Sequence, residues 1–204
     1  KPTDWYQRIT INNAVYSAYD FGGNNTALGL AQFGNITWSN FYRTYWNVFY
    51  NAEVTNVRRT RGGPAMTNPS GVDFGLGMSS DDRKRFLFGV GGNASRYASG
   101  FDRSCGAETI VEWKPTQRLK LRVSPNYFRN GDGAQYVTTA ADPLATATYG
   151  ARYIFGELEQ HTFSADVRVN WIFTPTLSLE LYVQPLVSSG TYTQLKELSA
   201  PNTY

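Results

Sequence analysis

The sequence predicts an all-β protein: an antiparallel transmembrane β-barrel of about eleven long strands, itself part of a larger barrel. Three observations predict it. Apolar and polar residues alternate with period two, the arms are longer than ordinary strands, and short turns gather at one end while longer loops gather at the other. The alternation is clearest from His161 to Ser188. Phe163, Ala165, Val167, Val169, Trp171 and Phe173 share one face, and Ser164, Asp166, Arg168 and Asn170 the other. Beyond Thr174-Pro175-Thr176, Leu177, Leu179, Leu181 and Val183 alternate with Ser178, Glu180, Tyr182 and Gln184. Soluble half-buried strands alternate too, so length has to decide. Each arm runs about 11 to 13 residues, against roughly 5 to 6 for soluble strands and about 9 to 11 for a tilted membrane strand.

The remaining elements follow in chain order. Trp5 to Tyr19 alternates as a long strand that ends at Phe21-Gly22-Gly23-Asn24-Asn25. Thr26 to Trp38 returns, Ser39-Asn40 turns tightly, and Phe41 to Ala52 puts Tyr42, Trp46, Val48 and Tyr50 on one face. Val54 to Ser70 holds Gly, Pro and three arginines, which cannot continue a ladder, so it reads as a loop. Val72 to Met78 and Phe86 to Tyr97 are strands joined at Asp81 to Lys84, and Gly89, Gly91 and Gly92 mark a bend or a close backbone approach. Ala107 to Trp113 turns at Lys114-Pro115-Thr116 into a strand from Leu119. Asn130 to Gly133 is expected to end that strand, Ala134 to Ala140 to form a short one, and Asp142-Pro143 to turn it. Thr148 to Phe155 then returns and Glu157 to Gln160 leads into the last hairpin, which puts the Asp142 turn at the short-turn end.

Composition narrows the function classes. The 204 residues carry a net charge of +3, too small to argue for nucleic acid. No run approaches the roughly 18 apolar residues of a spanning helix, and a mean hydropathy of -0.41 is compatible with a barrel in which alternate residues meet lipid. The single Cys105 excludes an internal disulfide and a Cys-based zinc cluster, and the single His161 cannot build a typical zinc site. No metal site and no cofactor is expected.

In the barrel reading, one face lines a wet interior with charges of both signs: Arg8, Arg43, Asp73, Glu108, Glu112, Lys120, Arg122, Arg152, Asp166, Arg168 and Glu180. Trp38, Trp113 and Trp171 fall near the short turns, as an aromatic girdle requires. Arg58, Arg59 and Arg61 are candidates for contact with an anionic headgroup, a glycan or an acidic partner, or for closing the lumen against its carboxylates. His161, Ser164 and Asp166 invite a hydrolase reading, but a catalytic relay among them fails by parity. His161 lies on the face opposite Ser164 and Asp166, so no catalytic residue is assigned.

The segments Arg59 to Pro64 (RTRGGP), Ser124 to Tyr127 (SPNY), Ala134 to Val137 (AQYV), Tyr153 to Phe155 (YIF) and Phe173 to Leu179 (FTPTLSL) resemble a domain-of-unknown-function family of Gram-negative bacteria. The similarity is to its C-terminal barrel, which follows a carbohydrate-binding family-9-like domain in proteins often labelled membrane-associated hydrolases. The resemblance runs from Tyr45 onward. It implies an outer-membrane location, contact with the lipid bilayer and lipopolysaccharide, and protein partners in a larger complex. It carries over no catalytic residues. The expected role is a pore, anchor or export platform, with glycan handling left to a domain not present in this stretch. A membrane-embedded hydrolase and a soluble β-sandwich or lipocalin-like binder are the competing expectations.

Overall fold

A computed structural model describes residues 4–204, and twelve strands carry most of them. In chain order these are β1 (Tyr6–Tyr19), β2 (Asn25–Trp38), β3 (Arg43–Asn51), β4 (Val54–Asn56), β5 (Met66–Asn68) and β6 (Gly71–Ser79). They continue with β7 (Phe86–Tyr97), β8 (Arg103–Thr116), β9 (Leu119–Ala141), β10 (Ala151–Thr174), β11 (Leu177–Val183) and β12 (Leu186–Glu197). All but β4 and β5 form one antiparallel meander in the order β1-β2-β3-β6-β7-β8-β9-β10, with β11 and β12 both on β10.

β11 and β12 are one arm. Both pair with β10, on either side of Gln184-Pro185, where the ring nitrogen of Pro185 has no hydrogen to give and its carbonyl still accepts from Ala165 N (3.1 Å). The meander therefore has nine crossings and two free edges, β1 and the β11/β12 arm.

The nine long arms fall short of the expected eleven or so, and the division differs. β9 runs without a turn through Asn130 to Gly133, and β10 runs without a break through Glu157 to Gln160. The Gly-Asp-Gly sequence takes up a register shift opposite Gly156 to Leu158 rather than making a reversal. As a result, the turn at Asp142 lies at the long-loop end, not with the short turns. β9 and β10 project beyond β8, which stops pairing at Gly131. The long connection is also not wholly irregular, since β4 and β5 make a small hairpin inside it. The turn expected at Lys114 to Thr116 sits slightly later, at Gln117-Arg118.

Few side chains are buried. The apolar cluster of Met66, Ala134, Phe155 and Leu198, flanked by Tyr136 and Tyr153, wedges the loop hairpin and the C-terminal tail against the projecting part of β9 and β10. Over the rest of the sheet the apolar face is open. Val72, Phe74, Leu76, Phe88, Val123, Phe163 and the run Leu177, Leu179, Leu181, Val183 are all exposed, and Trp171 is 43% exposed. Among the described residues no helix is long and apolar enough to cross a membrane; crossing by strands is a separate route, open only to a closed barrel.

Candidate functional site: the polar face and its loop plug

Register places Arg8, Arg43, Asp73, Glu108, Glu112, Lys120, Arg122, Asp166, Arg168 and Glu180 on one face of the sheet. Arg152 stands apart on the projecting hairpin, where it bonds Asp142 (2.6 Å) and Glu197 (3.1 Å). Several of the shared charges pair across strands. Glu112, nearly buried, takes the ammonium groups of Lys114 (3.1 Å) and Lys120 (3.0 Å), and Asp166 accepts from Tyr182 Oη (2.8 Å). Arg168 stacks over the ring of Tyr182, and Arg43 reaches Asp82 (3.1 Å) in the next turn. Among the described residues, Arg8 on β1 and Glu180 on β11 have neither an ionic nor a hydrogen-bonding side-chain partner, and these are the two edge strands.

Two register rows on this face emerge only from the structure. Tyr45, Gly77, Gly91 and Glu108 are successive cross-strand partners on β3, β6, β7 and β8. The Tyr45 ring lies across both glycines and donates to Glu108 (2.9 Å); a Cβ at Gly77 would stand 2.2 Å from the ring. Nearer the long loops, Tyr16, Gly29, Asn51, Gly71 and Tyr97 form a second row from β1 to β7. Tyr16 crosses Gly29 to reach Asn51 (2.6 Å), Asn51 donates to Asp73 (2.6 Å), and Tyr97 crosses Gly71 to donate to the same carboxylate (3.2 Å). Each phenol spans the distance that a neighbouring side chain would otherwise fill.

The connection between β3 and β6 folds over this end. Asn56 Oδ1 accepts the backbone N–H groups of Arg58 (2.9 Å) and Arg59 (3.0 Å), Thr60 Oγ1 donates to Pro64 O (2.9 Å), and Arg61 and Gly62 adopt positive φ. Arg59 then crosses to β9, where it pairs with Asp132 and donates to Ala134 O (3.1 Å). Arg61 stacks on Tyr136, while Arg58 is exposed. The C-terminal tail locks the hairpin through Thr67 N to Thr203 O (3.0 Å) and Asn202 N to Ala65 O (2.7 Å). Beneath it lies a cleft of about 370 Å³ that touches Tyr16 on β1, Ala27 on β2, Asn51 on β3, Tyr97 on β7 and Asn130 on β9. One cleft can reach strands so far apart in the meander only if the sheet curls with its polar face inside.

At the other end the short turns are tied to each other. Arg83 lies over the ring of Phe41 and forks onto Asp81 (both contacts 2.9 Å), so its guanidinium holds the Asp81 carboxyl down at about 2. Trp5 and Trp38 pack at a tilt with ring centroids 5.8 Å apart, and Trp171 and Phe173 likewise at 4.6 Å.

The hydrolase constellation does not assemble. His161 sits on the opposite, apolar face with Tyr127 (2.7 Å) and Glu159 (3.5 Å), whereas Ser164 and Asp166 share the polar face. Among the described residues, no group of three His, Cys, Asp or Glu side chains is placed to hold a metal ion.

Comparison with curated proteins and with solved structures finds no match. Residues 1–203 match the family described as a domain of unknown function, DUF5916, a span that takes in the first strands as well as the segments from Tyr45 on; the chain belongs to that family.

Proposed function

We propose that this chain is the membrane-spanning wall of a bacterial outer-membrane β-barrel that acts as a plugged anchor or export platform. The observation that carries the reading is the asymmetry of the sheet's two faces. One exposes a continuous apolar surface, from Leu177 to Val183 on β11 across to Val72 to Met78 on β6, while the other holds paired charges and flat tyrosines. Soluble monomers rarely expose apolar patches beyond a few hundred Å², and an aqueous sandwich would need a second sheet over this face. Two long free edges supply the second support. Exposed edge strands of this length invite pairing, and Arg8 and Glu180, without side-chain partners among the described residues, bring opposite charges to them, so further strands closing the wall satisfy both.

Short turns and tryptophans mark the inner side of the membrane in this reading, and the folded loop marks the outer side. The loop, held by Arg59 and the tail, covers the cleft and favours a closed lumen over an open pore. Arg58 is the loop arginine left to meet an anionic or protein partner. Glycan handling belongs to a carbohydrate-binding-like companion domain rather than to this sheet. The test is solubility of the full-length protein. It is expected to stay with washed membranes until detergent is added; quantitative recovery in detergent-free buffer would refute the proposal.

A further inference from the structure

On the apolar face, the alternation changes character at the long-loop end. Arg96 on β7 and Arg103 on β8 are direct cross-strand partners, both exposed, and neither pairs with a carboxylate among the described residues. Like charges placed directly opposite each other oppose strand pairing. Arg129 on β9 stands beside them as the partner of Cys105, two residues from Arg103, and its guanidinium is bonded to Glu159. Three arginines against one glutamate make this corner cationic on a face that is otherwise apolar.

Position gives the cluster a meaning. Arg103 and Trp113 lie on the same face of β8, ten residues apart. At about 3.3 Å per residue and a tilt of about 40°, that places the arginines about 25 Å above the tryptophan row, the height of a barrel's apolar band. The arginines border a pocket of about 470 Å³ that includes Phe101 and Ala94. Ala94 also borders an apolar groove of about 580 Å³, walled by Phe74, Leu76 and Val90 and floored by Gly92, which runs down the band. A cationic pocket opening onto an apolar groove is the shape complement of an acylated, phosphorylated amphiphile.

The geometry points to a bound phosphorylated glycolipid of the outer leaflet, with a lipid A phosphate bridging Arg96 and Arg103 and an acyl chain in the groove below. The inference rests on the barrel reading above, which puts this end of the sheet at the outer leaflet. The shared phosphate would remove the like-charge conflict that the bare sheet carries.

Full-length protein in detergent is titrated with bisphosphorylated lipid A and read by native mass spectrometry. Arg96→Ala with Arg103→Ala is expected to weaken binding by about thirtyfold, roughly a factor of five for each arginine near a charged surface and more if the pair acts together. Arg96→Lys with Arg103→Lys should retain most of the affinity, and dephosphorylated lipid A should bind the wild-type protein no better than lipid A binds the double alanine variant. Equal binding by the wild-type and double alanine proteins would overturn the inference, as would equal affinity for phosphatidylglycerol. If the protein needs detergent and yet either result is found, only this lipid site falls. Recovery without detergent would remove the barrel reading and the site together.

Discussion

Tyr45 illustrates how the polar face is held at the scale of single residues. Its ring occupies the space above Gly77 and Gly91 and ends on Glu108, so one side chain ties β3 to β8 across two strands that contribute only backbone. Gly77→Val should therefore cost about 1–3 kcal/mol of overpacking in the wild-type protein. It should cost much less once Tyr45→Ala has removed the ring, and a double-mutant cycle from urea unfolding in detergent measures that coupling. Tyr45→Phe, which keeps the ring and loses one hydrogen bond to a carboxylate, is expected to cost about 1.5 kcal/mol by the same measurement. At the short-turn end, Asp81 provides a pH signature outside the spanning strands. Its carboxyl lies at about 2 against an ordinary 3.8, with the Arg83 hydrogen bonds the leading cause. Because the folded value is depressed, the stabilisation is fully present above the ordinary value and is lost as pH falls through about 2. A carboxyl titration by NMR should show that step, and Asp81→Asn should abolish it. None of this is readable from composition: Tyr45 and Gly77 become partners only once the register of four strands is fixed.

Among the elements, the loop from Ala52 to Ser70 and the projecting hairpin of β9 and β10 belong together. Arg59 meets Asp132 and Ala134 on β9, and Met66 packs with Phe155 on β10, so the loop rests on strand ends that overshoot the common sheet. Arg59→Ala leaves Asp132 without its guanidinium and frees the hairpin at one point. Protease cleavage between Arg58 and Pro64 should become several times faster, since exposed, weakly held backbone is what proteases select. Unchanged cleavage would show that the tail contacts of Thr67 and Asn202 suffice alone. The same elements explain what the sequence hides. Asn130-Gly-Asp-Gly133 has the composition of a turn, yet Asp132 serves an arginine 73 positions earlier and the glycines absorb a register shift. Parity counted through that shift also puts Arg152 on the shared polar face, when its partners Asp142 and Glu197 hold it at the tip. By contrast, β1, β2, β6 and β7 are legible nearly to their ends, because regular alternation between short polar turns needs no distant partner.

For the whole molecule, the decisive property is which solvent each face meets. The period-two pattern from Phe163 to Gln184 separates the faces in the sequence itself, and the structure adds that no second layer of the described residues covers the apolar one, while the polar one curls inward around the loop. Conductance follows from that arrangement. The full-length protein in planar lipid should pass little current, and removal of residues 57–64 should raise it; a high conductance in the intact protein would contradict the plugged interior. The wall itself is tested most directly by spin labels placed singly from Val167 to Trp171 and from Leu177 to Val183, in full-length protein carrying Cys105→Ser and reconstituted in bilayers. Labels at Val167, Val169, Trp171, Leu179 and Leu181 should be relaxed by oxygen, which concentrates in lipid, and those at Arg168, Asn170 and Glu180 by a water-soluble nickel chelate, with strict period two. Relaxation of both sets by the aqueous reagent would contradict a membrane-spanning sheet.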